Sequence, residues 1–120
     1  MPEKNKFRYP FSGAIEKWRV VVLTFLRDLQ KIRNILQTNF ELGKKHYGLG
    51  NFSDAVLRFK FVTWLEPKHA SGWYWLGLSH LSSGQKPAAI KALKKALEIN
   101  PELQGARDAL AAALAASENA

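Results

Sequence analysis

Apolar residues between Ile15 and Leu36 fall at Ile15, Trp18, Val22, Phe25, Leu29, Ile32 and Leu36, alternately three and four positions apart. A helix of about 3.6 residues per turn gathers such positions onto one stripe. A heptad seam kept up over this length is the pattern of a helix that packs on another helix. Val21, Leu26 and Ile35 widen the stripe, and Lys17, Arg19, Arg27, Lys31 and Arg33 occupy much of the rest. The pattern predicts an amphipathic helix over residues 12–36. Ahead of it, residues 1–11 hold Lys4, Lys6, Phe7, Arg8, Tyr9 and Phe11 and read as a flexible basic and aromatic arm.

Past residue 36 the chain repeats itself. Residues 42–67, LGKKHYGLGNFSDAVLRFKFVTWLEP, align without a gap on residues 76–101, LGLSHLSSGQKPAAIKALKKALEINP, at an offset of 34. Leu42 meets Leu76, Gly43 meets Gly77, His46 meets His80 and Gly50 meets Gly84; further on, Ala55 meets Ala89, Phe59 meets Leu93 and Pro67 meets Pro101. Local signals divide each copy into two antiparallel helices. Thr38-Asn-Phe-Glu41 has capping-box spacing and predicts a new helix start. The run Gly48-Leu-Gly-Asn51 ends that helix, and Asn51 or Ser53 is placed to cap the next, which stops before Pro67. In the second copy Ser82-Ser-Gly84 makes the turn and Pro87 suits a first helical turn. Gly43 and Gly77, inside helices, predict close approach by a neighbouring backbone, with Ala55, Ala89 and Ala96 on the facing side.

The copies read Asn39-x2-Leu42-Gly43-x2-His46…Ala55-x3-Phe59…Pro67 and Trp73-x2-Leu76-Gly77-x2-His80…Ala89-x3-Leu93…Pro101. This resembles the tetratricopeptide repeat family, whose pattern is W-x2-L-G-x2-Y…A-x3-F…P. Histidine stands in place of tyrosine in both copies, Asn39 in place of tryptophan, and Val62 where Ala96 has the small residue. The resemblance implies an all-α solenoid: two repeats over 37–67 and 71–101, with the extra amphipathic helix ahead of them. Residues 102–117, with Leu103, Leu110 and Leu114 near one face, then predict a capping helix, and 118–120 a short tail.

The run Gly72-Trp-Tyr-Trp-Leu-Gly-Leu-Ser-His-Leu81 sets three aromatics in a row. Unrolled on a helix, Trp73, Leu76, Gly77 and His80 share one face, which the family's repeat pattern assigns to the seam with the partner helix. Tyr74, Leu78 and Leu81 share a second face, matched in the first copy by Phe40, Lys44 and Tyr47. Trp75 falls on a third face with Ser79 and Ser82. The resemblance turns the second face toward a concave groove that holds peptides, here one suited to an apolar helical segment. Internal cover by another part of the chain is the competing occupant. The lysine, asparagine and arginine clamp with which some relatives hold acidic chaperone tails is missing from the groove positions, which carry Phe40, Lys44, Tyr74 and Leu78.

The absence of cysteine rules out disulfides and thiolate chemistry. His46 and His80 are equivalent positions of successive repeats and read as packing variants rather than a metal pair. Gly48-Leu-Gly50 lacks the setting of a phosphate cradle, and the acidic residues form no acid–base pair. No enzyme activity, cofactor or metal is expected. The longest apolar run, Val20–Leu26, is far short of a membrane span, so a soluble cytoplasmic chain is expected, with peripheral membrane attachment as a variant.

The net charge of +8 divides as +5 over residues 1–36, +5 over 37–101 and −2 over 102–120. It raises three partner classes for the basic surface: an acidic protein, an anionic membrane surface touched by the N-terminal helix, and, through Lys91, Lys94 and Lys95, nucleic acid, which is the weakest. The N-terminal helix itself fits three roles: lid on the first repeat, pairing with another chain or a second copy, or membrane contact. The expected function is a protein-binding adaptor, scaffold or accessory subunit.

Overall fold

The structure, a computed structural model, describes the backbone of residues 2–118 and the side chains of residues 15–116. Its helices are α1 (Pro2–Gly48), α2 (Phe52–Leu65), α3 (Ala70–Ser82), α4 (Lys86–Ile99) and α5 (Gln104–Glu118). No strand occurs among the described residues, so the all-helical class holds. The chain divides into two compact units, Met1–Ile35 and Leu36–Ala120.

The capping-box spacing at Thr38 does not start a helix; α1 runs through it from Pro2 to Gly48. Glu41 does not reach back to cap an amide. It accepts a hydrogen bond from Gln37 Nε2 at 2.9 Å and lies 3.4 Å from Lys44 Nζ, both contacts along a helix surface. Nothing between Ile15 and Leu42 breaks a helix, and a capping box acts only where the preceding residue leaves helical dihedrals. Residues 2–11, expected as an arm, also have helical backbone. Their side chains, like the last residues of the expected tail, lie outside the described residues.

The repeat is reproduced bond for bond. After α1, Gly50 takes φ +81 and the Asn51 amide donates to the His46 carbonyl at 2.8 Å. After α3, Gly84 takes φ +81 and the Gln85 amide donates to the His80 carbonyl at 2.8 Å. Both are left-handed helix ends of the kind glycine permits. Asn51 stands at the N-cap of α2, but its side chain makes no capping bond, and Ser53 lies inside the helix. A cap absent from the expectations is His69, whose Nδ1 accepts the Gly72 amide at 2.8 Å at the start of α3.

Phe59 and Leu93, equivalent residues of α2 and α4, are fully buried. Each fills the hollow left by the helix glycine opposite. A Cβ on Gly43 would stand 2.7 Å from the Phe59 ring, and one on Gly77 would stand 2.7 Å from Leu93 Cγ. The glycines thus admit a large side chain; a backbone atom, the Ala89 carbonyl at 3.3 Å, is close only at Gly77. Burying a side chain of this size contributes roughly 1.5–3 kcal/mol.

Helix α5 packs on α4 and α3. Its buried residues are Ala106 and Ala113, with Ala109 and Leu110 partly buried and Leu103 partly buried just ahead of it, while Leu114, expected on the inward face, is exposed. Small residues bring α5 close: a Cβ on Gly105 would stand 2.7 Å from the Tyr74 hydroxyl oxygen.

Candidate functional site

Two surfaces carry the residues that the sequence marks for partners. The first is the stripe formed by Phe40, Lys44 and Tyr47 of α1 with Tyr74, Leu78 and Leu81 of α3, all six half-buried. Much of this aromatic surface packs internally. Phe40 meets Phe59 edge-on at 5.9 Å and His69 at 5.0 Å, with the Lys44 ammonium 5.0 Å from its ring centre. Tyr47 packs on Phe52 at 5.3 Å and on Trp75 at 5.4 Å, and its hydroxyl accepts from Ser82 Oγ at 3.4 Å. Tyr74 and Leu81 pack on the Leu93–Ala96–Ala106 cluster. Leu78 and Lys44 take no part in either core cluster.

Trp75 departs from its expected place. Far from standing apart among serines, it packs on the Ala55–Phe59–Leu76 core, stacked on Phe59 at 6.1 Å and edge-on to Tyr47 and Tyr74. Ser79 on the same face is fully buried, its hydroxyl donating to the Trp75 carbonyl at 2.8 Å. An inner helix of a repeat stack has neighbours on more than one side, so a two-face division of its surface is too coarse. Trp73, expected in the core, is half-buried against both clusters, and its indole N–H donates to the Pro67 carbonyl at 2.8 Å.

The second surface is the N-terminal seam. Ile15, Trp18, Val22, Phe25, Leu29 and Ile32 are all exposed, from 39% at Leu29 to 68% at Trp18, and Leu36 is half-buried. Val21, Leu26 and Ile35, with Val20 and Leu23, are exposed as well. The charges beside the seam form short local pairs, Arg19 with Glu16 at 3.8 Å and Lys31 with Asp28 at 3.9 Å. Such exposed pairs contribute little to stability.

His46 and His80 each keep a buried Nδ1 without a hydrogen-bond partner. Burial and the nearby Lys60 ammonium hold the His80 pKa below its ordinary value, partly offset by a hydrogen bond with Gln85. Among the described residues no cluster of side chains could hold a metal ion, and no described helix is long and apolar enough to cross a membrane.

Glycine-for-side-chain packing at matched positions, matched turn bonds and an all-helical hairpin stack describe one type of repeat. The tetratricopeptide repeat family's sequence model matches residues 40–103. The chain belongs to the tetratricopeptide repeat family. Among curated proteins it is similar to Superkiller protein 3 of Schizosaccharomyces pombe, with 28% identity over 99 residues, 77% of this chain and 7% of that protein. It is also similar to the tetratricopeptide repeat-containing protein trd-1 of Caenorhabditis elegans, with 35% identity over 75 residues, 62% of this chain and 10% of that protein. The chain therefore spans a tenth or less of either relative. Tetratricopeptide repeats are in general non-catalytic protein–protein interaction modules, and membership of the family suggests an interaction role for this chain.

Proposed function

We propose that this chain is an adaptor or accessory subunit that holds another protein by helix-on-helix packing along the α1 seam. One observation carries the proposal: a heptad row of large apolar side chains stands in water from Ile15 to Ile32. A row of this kind is stable in water only at a cost that a partner helix removes. Flanking charge points to the partner's character. Five basic residues, Lys17, Arg19, Arg27, Lys31 and Arg33, outnumber Glu16 and Asp28 between residues 15 and 36. Two copies side by side would bring like charges together, whereas an acid-flanked apolar helix of another protein would meet opposite charge.

The test compares the full-length chain with a Phe25→Glu, Leu29→Glu variant in affinity capture read by mass spectrometry. Both positions are exposed, so the variant keeps the circular dichroism of the parent. The proposal expects specific captured proteins to be lost. Undiminished capture would remove the seam from the account. Sedimentation over a wide concentration range and flotation with anionic vesicles, on the same pair of proteins, separate self-association and lipid contact from heterotypic docking.

The concave stripe has support of its own in Leu78 and Lys44, which are part-exposed and bound into neither core cluster. A peptide laid along α1 and α3 would meet these two side chains. Lys44→Ala with Leu78→Ala in the same capture experiment tests it: proteins lost here but retained by the seam variant would assign them to the groove.

A further inference from the structure

Where α2, α3 and α4 meet, the surface opens into a trough of about 750 Å³. Its floor is mostly apolar: Leu76 and Trp73 from α3, and Ala88 and Ala92 one turn apart on α4, with Thr63, His80 and Gln85 as its polar lining. Its rim is cationic. Lys60 stands on the α2 side, and Lys91, Lys94 and Lys95 stand along α4. Among the described residues Lys60, Lys91 and Lys94 form no ion pair, and the one acid lining the trough, Glu98, is 3.7 Å from Lys95.

The first repeat shows that the fold does not demand this rim. A smaller cavity of about 550 Å³ there is lined by the residues that match the trough's by the repeat offset. Leu57 and Phe61 stand where the second repeat has Lys91 and Lys95; Asp54 and Arg58 stand where it has Ala88 and Ala92. One helix framework thus accepts apolar residues at the rim and charged ones at the floor. The second repeat has the reverse, small residues on the α4 part of the floor with unpaired cations on both sides.

We infer that this trough is a second docking site, separate from the α1 seam and the concave stripe, for an acidic peptide segment. Carboxylates of the peptide meet the Lys60, Lys91 and Lys94 ammonium groups, and an apolar side chain between them covers Trp73 and Leu76. Nucleic acid fits less well. Of the two rings lining the trough, Trp73 is half-buried and His80 buried, where single-strand binding uses a succession of exposed stacking platforms.

The experiment is fluorescence anisotropy on the full-length chain with a labelled helical peptide carrying glutamates one turn apart and leucines between them. Its glutamine counterpart and a single-stranded oligonucleotide of equal charge serve as competitors. The inference expects the glutamate peptide to bind, and the glutamine peptide and oligonucleotide to compete poorly. Affinity should fall about tenfold or more in a Lys91→Glu, Lys94→Glu variant, since two opposed charge pairs become repulsive. The control Lys45→Glu, Lys68→Glu makes the same change of net charge at exposed positions elsewhere and should lose far less. Absent binding at low salt, equal loss in variant and control, or stronger competition by the oligonucleotide would each overturn it. A seam variant that still binds the peptide separates this site from the proposed function.

Discussion

The helix glycines have different duties that substitution can separate. At Gly77 a Cβ would meet Leu93 at 2.7 Å and the Ala89 carbonyl at 3.3 Å, so neither the side chain nor the backbone leaves room. Gly77→Ala is expected to destabilise by about 1–3 kcal/mol, the usual range for overpacking, in urea unfolding. Gly48 ends α1 with nothing within 4 Å of its Cβ position. Gly48→Ala should be neutral or stabilising by up to about 1 kcal/mol, from helix propensity. Equal losses at both sites would mean that the 34-residue register does not describe the packing.

His80 gives a pH dependence of defined sign. Its folded-state pKa lies below the ordinary 6.5, chiefly through burial. Below that value the unfolded chain takes up the proton first, so stability is whole above about pH 6.5 and falls as the pH drops toward the folded pKa. His80→Tyr, which restores the family's residue and removes an orphaned ring nitrogen, should flatten this acid-side loss. It should also add about 1 kcal/mol at neutral pH. Thermal melts of the two proteins across mildly acidic pH read both effects; parallel losses on acidification would clear His80 of the role.

Among elements, the hairpins were legible in the sequence because their signals are short-range: a glycine at Gly50 and Gly84, a proline at Pro67 and Pro101, and small residues at fixed spacing between them. Two features were not. The end of a helix depends on what precedes it, and the Thr38–Glu41 spacing could not reveal that α1 continues from upstream. The place of Trp75 depends on α1 and α2 both lying beside α3, which a single helical wheel omits. The stripe meets the same limit: Phe40, Tyr47 and Tyr74 carry surface and core duties together. Tyr74 lies against Gly105, so Tyr74→Ala is expected to loosen α5, with a stability loss of about 2 kcal/mol. Hydrogen exchange should show α5 amides released ahead of those of α2. Uniform release would place Tyr74 outside the α5 contact.

For the whole molecule, the solenoid residues supply the fold, and the first unit supplies the exposed apolar row from Ile15 to Ile32. The heptad was readable in the sequence, since spacing alone defines it, but its exposure was not: the same spacing suits a lid, a dimer seam or a docking helix. Exposure, and a basic flank, favour docking to another protein. Photo-crosslinking of the full-length chain in its native extract, with Phe25 replaced by p-benzoylphenylalanine and the polar position Gln30 as control, tests this most directly. The account predicts a covalent adduct to a second protein from position 25 and little or none from position 30. Crosslinks from position 25 that stay within the chain, or equal yields from both positions, would contradict it.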